Sequence, residues 1–214
     1  MASTPRPEAP TVRRRDLQKE QTRLDLALAA FELARTNGLA SVRIPQVAAA
    51  AGVSPRTFNN YFPSKEAAIV WPSTLRTGRL VASLAGRPPA EPIGDALIAA
   101  VAALYSDTGM DGLPDAWLGQ FRRLVAAEPT LVGEYLKANA AAERGLAEVI
   151  AARTGSDAGE LEPQVVAAVV AGAERAAVLF WARPEHASAS LVDVVRNAVS
   201  MAVRGLTGPG SIVT

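Results

Sequence analysis

The sequence predicts an all-α protein, a three-helix head carrying a helix-turn-helix joined to a larger helical body, with about nine helices in all. Three observations predict it. Forty-three of the 214 residues are alanine, the strongest helix former. Apolar residues recur at three- and four-residue steps in every segment that has a period. No run of alternating β-branched residues bounded by turn signals occurs, so no strand is predicted.

The elements follow in order. Residues 1–15, rich in Pro, Thr and Arg and without a period, are expected to form a disordered arm. Leu24, Ala27, Leu28, Phe31 and Ala34 make an amphipathic stripe that stops at Asn37-Gly38. Pro45 begins a short alanine-rich helix to Ala51, closed by Gly52. Ser54-Pro55 opens a second, which Pro63 closes. Ser64 caps a longer helix, with Lys65 and Glu66 in its first turn, that runs to about Ala85. Pro72 places a kink or a short break inside it. After the loop Gly86-Arg87-Pro88-Pro89, helices are expected over 93–106, 114–127, 129–153, 161–182 and 187–206. These divide the chain into an arm (1–15), a head of short helices (16–66) and a body (67–210), followed by a fraying tail.

Composition removes most chemistry. With no cysteine there is no disulfide, thiolate zinc site, iron–sulfur cluster or cysteine nucleophile. A single histidine, His186, excludes two-histidine metal motifs and leaves any Ser-His-Asp catalysis resting on that residue alone. The expectation is a binder without metal or cofactor rather than an enzyme. The longest apolar stretch, Val165 to Ala182, holds Glu174 and Arg175 at its centre, where each charge costs about 2.5–3.5 kcal/mol in a bilayer. No membrane span is therefore expected. The first fifteen residues lack the apolar core of a secretory signal, and the protein is expected in the cytoplasm.

Charge is balanced overall but unevenly placed. Residues 1–66 carry ten basic and six acidic side chains, and the remainder twelve and fifteen. A basic head suits a polyanion, although a fluctuation of a few charges would give the same count.

The strongest local signal is Ile44 to Phe62, IPQVAAAAGVSPRTFNNYF. Two short helices joined by a three- to four-residue turn with a glycine make a helix-turn-helix, and Ala51-Gly52-Val53-Ser54 supplies that turn. Val47, Ala48, Ala51 and Val53 can pack against Phe58 and Phe62, leaving Arg56, Thr57, Asn59, Asn60 and Tyr61 on a free face. A merely solvated helix favours Glu and Lys, whereas Asn, Arg and the Thr methyl match base edges in the major groove. Tyr61 and Lys65 suit phosphates.

At these residues the chain resembles the DNA-binding head of the TetR family of bacterial transcriptional regulators. The resemblance covers about Arg23 to Ile69, and AGVS, R-T-F and Y-F-P-S-K-E are its most specific parts. It implies an all-α homodimer whose third helix enters the major groove, with DNA contacts from Ser54, Arg56, Thr57, Asn59, Asn60, Tyr61 and Lys65. Where the family commonly has Thr at the cap of the second helix, this chain has Arg43, which either replaces the phosphate contact by charge or leaves the cap to Ser41. Asn59 stands where members often carry an aromatic residue, so an operator sequence does not transfer. Arg13, Arg14 and Arg15 fit either a DNA-touching arm or a solubilising one.

In the body, Val165, Ala168, Val169, Gly172, Ala176 and Leu179 share one stripe, matched by Leu191, Val194, Val195 and Ala198, with Met201 and Ala202, on the last helix. Both stripes fit the body's own core. The resemblance implies instead a dimer interface across a two-fold axis, matched by a palindromic operator. It also implies a pocket for a small-molecule effector of unknown identity among the middle helices. The large side chains there are Trp71, Leu104, Tyr105, Met110, Trp117, Phe121 and Tyr135, any of which is also an ordinary core residue. Arg122 and Arg123 suit either an anionic ligand or an exposed helix face. The expected function is a homodimeric repressor released from double-stranded DNA by its effector. The alternatives are an effector-independent or activating regulator, or a helical interaction module without DNA.

Overall fold

The computed structural model describes residues 10–106, 113, 117–186 and 188–205. Among these residues lie nine α-helices and no strand: α1 (Pro10–Asn37), α2 (Ile44–Ala50), α3 (Pro55–Tyr61), α4 (Lys65–Ala85), α5 (Ile93–Ser106), α6 (Trp117–Ala127), α7 (Pro129–Thr154), α8 (Leu161–Trp181) and α9 (Leu191–Arg204). The chain divides into two compact units between Pro72 and Ser73.

Two boundaries differ from expectation for identifiable reasons. Helix α1 starts at Pro10, so residues 10–15 of the expected arm are helical, while residues 1–9 lie outside the described residues. Proline is favoured at a first helical position, and the following Arg, Leu, Gln, Lys and Glu are strong helix formers that need no apolar stripe in solvent. Leu17 is accordingly exposed. Helix α9 starts at Leu191 rather than 187, because Ser190 is its N-cap and Oγ accepts from the Asp193 N–H. Residues Pro184–His186 form a separate 3-10 turn.

The head packs around α1, whose Leu26, Ala27, Ala30 and Phe31 are essentially inaccessible, together with Val47, Phe58 and Phe62. Helix α2 ends in a Schellman motif: Gly52, at φ 69°, donates to Ala49 O, and Val53 donates to Ala48 O. That turn is why glycine is required here, since a side chain is strained at positive φ. Val53 is half-buried beside it.

Helix α4 remains helical through Pro72, at the boundary of the two units, with no break. Lacking an N–H, Pro72 gives the Ala68 carbonyl no helical partner.

In the second unit α8 packs against α7 and α9, and α5 against α9. Gly94 permits the approach of α5 to α9, since a Cβ there would stand 2.7 Å from Val203 Cγ1. Arg153, in the last turn of α7, donates to the carbonyls of Arg87 at 2.8 Å and Pro88 at 2.9 Å, tying the loop after α4 to the end of α7. By length and composition α8 could cross a membrane. Here its inward face, Ala167, Val170, Ala177 and Val178, is buried in the unit instead.

Candidate nucleic-acid interface and effector cavity

The first site is built on α3. Ser54 caps this helix: its Oγ accepts from the Thr57 N–H at 3.1 Å and meets Thr57 Oγ1 at 2.9 Å. Phe58 points inward with no exposure, its ring 5.8 Å from that of Phe62. Arg56, Asn59 and Asn60, spaced i, i+3 and i+4, therefore stand together on the outer face and are all exposed. Thr57 and Tyr61 flank that face, half-buried.

Two neighbouring cations have internal partners that the sequence did not reveal. Lys65 Nζ donates to Leu39 O at 2.7 Å and to Val42 O at 3.0 Å, fastening the start of α4 to the chain before α2. An ammonium has three donors, so one remains. Arg43, exposed, is the N-cap of α2. A guanidinium has no acceptor atom, so only the reverse half of a capping box forms there: the Arg43 N–H donates to Gln46 Oε1 at 2.9 Å. The Arg43 guanidinium donates to Ala40 O at 2.6 Å. Ser41 is not the cap, because its hydroxyl turns back to the Asn37 and Gly38 carbonyls. Arg15 is exposed on α1, and the side chains of Arg13 and Arg14 lie outside the described residues.

The second site is a cavity of about 50 Å³ inside the second unit, lined from α4, α5, α6, α7 and α8. Of the expected pocket residues, Leu104, Phe121 and Tyr135 line it. Trp117 does not: it is fully buried and stacks on Phe121 at 4.6 Å. Tyr105 contributes indirectly, donating its hydroxyl to Glu174, which does line the cavity. Trp71 does not line this cavity: it belongs to the first unit, where its ring lies edge-on to Phe62 at 6.0 Å and under the Arg23 guanidinium. It precedes the boundary by one residue, which no composition shift marks. Met110 lies outside the described residues.

The cavity's polar centre is Arg76, Arg122, Glu174 and Asn139; the sequence offers Arg122 alone as a ligand contact and Glu174 only as a charge inside an apolar stretch. Arg122 and its neighbour Arg123 part ways: Arg122 is buried and Arg123 exposed. Arg122 Nη1 donates to the Tyr135 hydroxyl, and Nη2 lies 3.6 Å from Glu174 Oε2. The Arg76 guanidinium sits 4.3 Å above the Tyr105 ring. Burial, and then the neighbouring Glu174 carboxylate, pushes the Tyr105 hydroxyl well above the usual tyrosine range, so it stays a donor. Burial lowers the Arg122 pKa, against the pull of Glu174, but an arginine keeps its charge at neutral pH. The signal for this centre was present in the sequence. Glu174 interrupts an otherwise apolar helix, and a carboxylate so placed needs a buried partner.

The third feature is the outer face of α8. Val165, Ala168, Val169, Ala176 and Leu179 are exposed, as is Phe180, and Gly172 is half-buried. On α9, Leu191, Val194 and Ala198 are half-buried. Val195 is fully buried with Val199 and belongs to the unit's own core. Adjacent helical residues diverge by about 100°, so Val194 and Val195 do not share the centre of one face.

Residues 27–68 match the model of the bacterial regulatory proteins of the tetR family, and residues 91–207 match the MftR C-terminal domain. The chain is 32% identical over 179 residues to the HTH-type transcriptional regulator TcmR of Streptomyces glaucescens, covering 82% of this chain and 78% of that protein. Among solved structures it resembles FadR of Thermus thermophilus, a TetR-family repressor solved with lauroyl-CoA, at 23% identity and TM-score 0.51, covering 90% of this chain and 98% of that one. It also resembles the fatty acid degradation regulator FadR of Bacillus halodurans, at 18% identity and TM-score 0.56, covering 94% and 99%. The two solved structures speak to the fold alone. The two family domains in tandem, with a relative aligned across most of both chains, make this protein a member of the TetR family of bacterial transcriptional regulators.

Proposed function

We propose that this protein is a homodimeric transcriptional repressor of the cytoplasm that leaves its operator when a small molecule enters the second unit. The observation that carries the DNA-reading part is the outer face of α3, where Arg56, Asn59 and Asn60 stand exposed together with no acidic residue among them. Asn pairs bidentately with adenine and Arg with guanine in the major groove. Thr57 and Tyr61 flank the bases, and Ser54 acts through its cap, which fixes the start of α3. Arg43 and the remaining donor of Lys65 serve the phosphates.

The exposed apolar face of α8, with the half-buried Leu191, Val194 and Ala198 of α9, supports two-fold pairing. A dimer would set two α3 helices about 34–36 Å apart on a palindromic site. The effector acts by preferring the dimer geometry that does not fit DNA. Helix α4 supports the coupling, since it supplies Lys65 to the first unit and Arg76, Thr77 and Leu80 to the cavity. No catalytic role is assigned to any residue. Among the described residues no cluster of three His, Asp or Glu side chains could hold a metal.

Fluorescence anisotropy of the purified protein on DNA flanking its own gene tests the proposal. Counterion release predicts affinity that falls steeply as salt rises. Undetectable binding at low salt would overturn it.

A further inference from the structure

Three donors from the wall of the cavity in the second unit find no acceptor among the described residues. Arg122, on α6, is 6% exposed, and its Nε, which can only donate, has no hydrogen-bond partner. Asn139 Nδ2, on α7, is likewise buried without a partner. Tyr135, one turn before Asn139 on the same face of α7, receives Arg122 Nη1 on its hydroxyl oxygen, which leaves its own proton to donate. The bond from Arg122 to Tyr135 and the i, i+4 step from Tyr135 to Asn139 join the three into one cluster. The Glu174 carboxylate is engaged, receiving the Tyr105 hydroxyl on one oxygen and facing Arg122 Nη2 with the other.

The charges around the cluster favour no ion. The ionised side chains that line the cavity are two of each sign, Arg76 and Arg122 with Glu143 and Glu174, and both carboxylates are half-buried. Arg76 is engaged, with its guanidinium over the Tyr105 ring. The rest of the wall is largely apolar, with Leu80, Leu104, Leu118, Phe121 and Leu146. Against such a wall an ion loses its water at high cost, and an uncharged oxygen that finds donors loses little.

We propose that the effector is an uncharged, mainly apolar molecule with a carbonyl-type oxygen, and that this oxygen accepts from the cluster of Arg122, Tyr135 and Asn139. The body lies against Phe121 and Leu104. This rests on the effector-controlled repressor proposed above and names the chemistry of its ligand. The enclosed space of about 50 Å³ takes the oxygen end but not the body, so the apolar walls part to admit the rest. A few waters fit the same space and are the competing partners of the donors.

The test uses the full chain and two ketone probes, 2-acetylnaphthalene and 2-undecanone, each beside the hydrocarbon, the carboxylate and the amine of the same body. Binding is read directly by calorimetry and by the rise in melting temperature, without DNA. At least one ketone is expected to bind saturably, about tenfold tighter than its hydrocarbon and tighter than its carboxylate or amine. Asn139→Leu removes one donor at a half-buried position with a side chain of similar length, and Tyr135→Phe removes another. Each is expected to weaken ketone binding about tenfold and to leave the hydrocarbon unchanged, a split that a merely structural role would not produce. No saturable ketone binding, which leaves the donors to water, would overturn the proposal. So would hydrocarbons that bind as tightly, carboxylates that bind more tightly, or folded variants at both positions with the parent's ratio of ketone to hydrocarbon affinity. Operator release is measured separately. Ketone binding that leaves the operator complex intact contradicts the effector-controlled reading but not the donor cluster. Release by ions alone, with no ketone bound, contradicts the cluster's role but not the reading.

Discussion

The two units of this protein bury different things. The head closes over aromatic and aliphatic side chains, with Phe31, Phe58 and Phe62 inside, while Arg56, Asn59 and Asn60 turn outward and Lys65 and Arg23 reach in only to carbonyls and rings. The second unit buries charge, holding Arg76 and Arg122 around Glu174 beside a cavity. An apolar core specifies one shape and keeps α3 rigid, as a reader of base edges requires. A buried charged centre contributes little to stability, yet removing one member is costly. The contrast teaches that the head holds its shape by apolar packing, while the second unit holds charged side chains beside a cavity.

The largest expected effect strikes the head. Phe58→Ala leaves a cavity under α3 and should cost about 3–5 kcal/mol in denaturant unfolding, with loss of DNA binding. A cost below about 1 kcal/mol would mean that the head is loosely packed. In the second unit, Glu174→Leu leaves Arg122 buried without its carboxylate and should cost about 3 kcal/mol, whereas the double variant Arg122→Met with Glu174→Leu should recover most of it. If the double variant is worse than the single, the charged centre is a net stabiliser and the contrast between the units fails. Arg153→Ala removes the donors that hold the carbonyls of Arg87 and Pro88, for a loss of about 2 kcal/mol by thermal melting. Lys65→Met tests the fastening of α4 to the Leu39 and Val42 carbonyls. It should lower stability by about 1–2 kcal/mol and reduce the salt slope of DNA binding by no more than about one. An unchanged melting temperature would return Lys65 to a purely phosphate-facing role.

The head was legible because its signals are local. Gly52, Ser54 and Pro55 each set a backbone geometry by themselves, and Phe58 with Phe62 marks the inner face at a four-residue step. The start of α1 was missed because Pro10 to Thr22 is helical by propensity without an apolar stripe. The role of Lys65 was missed because its partners, the carbonyls of Leu39 and Val42, lie over twenty residues away and carry no side-chain signature. The cavity was half legible for the same reason. Large side chains such as Phe121 and Tyr135 announce themselves, but Arg76, Asn139 and Glu174 meet only when three helices, α4, α7 and α8, pack. Glu174 is an obstacle to a membrane span, and its position in an apolar helix is equally the mark of a buried partner. Val195 shows the limit of a stripe drawn from sequence: one residue of offset turns a face into a core.

The central claim is that the exposed asparagines of α3 read DNA bases. It is tested most directly by measuring Asn59→Ala and Asn60→Ala against the footprinted operator and its single-base variants at fixed salt. Each substitution should cost about 1–3 kcal/mol on the operator and erase discrimination at particular base pairs, leaving the salt slope unchanged. Equal loss on every sequence, or no loss on any, would contradict it.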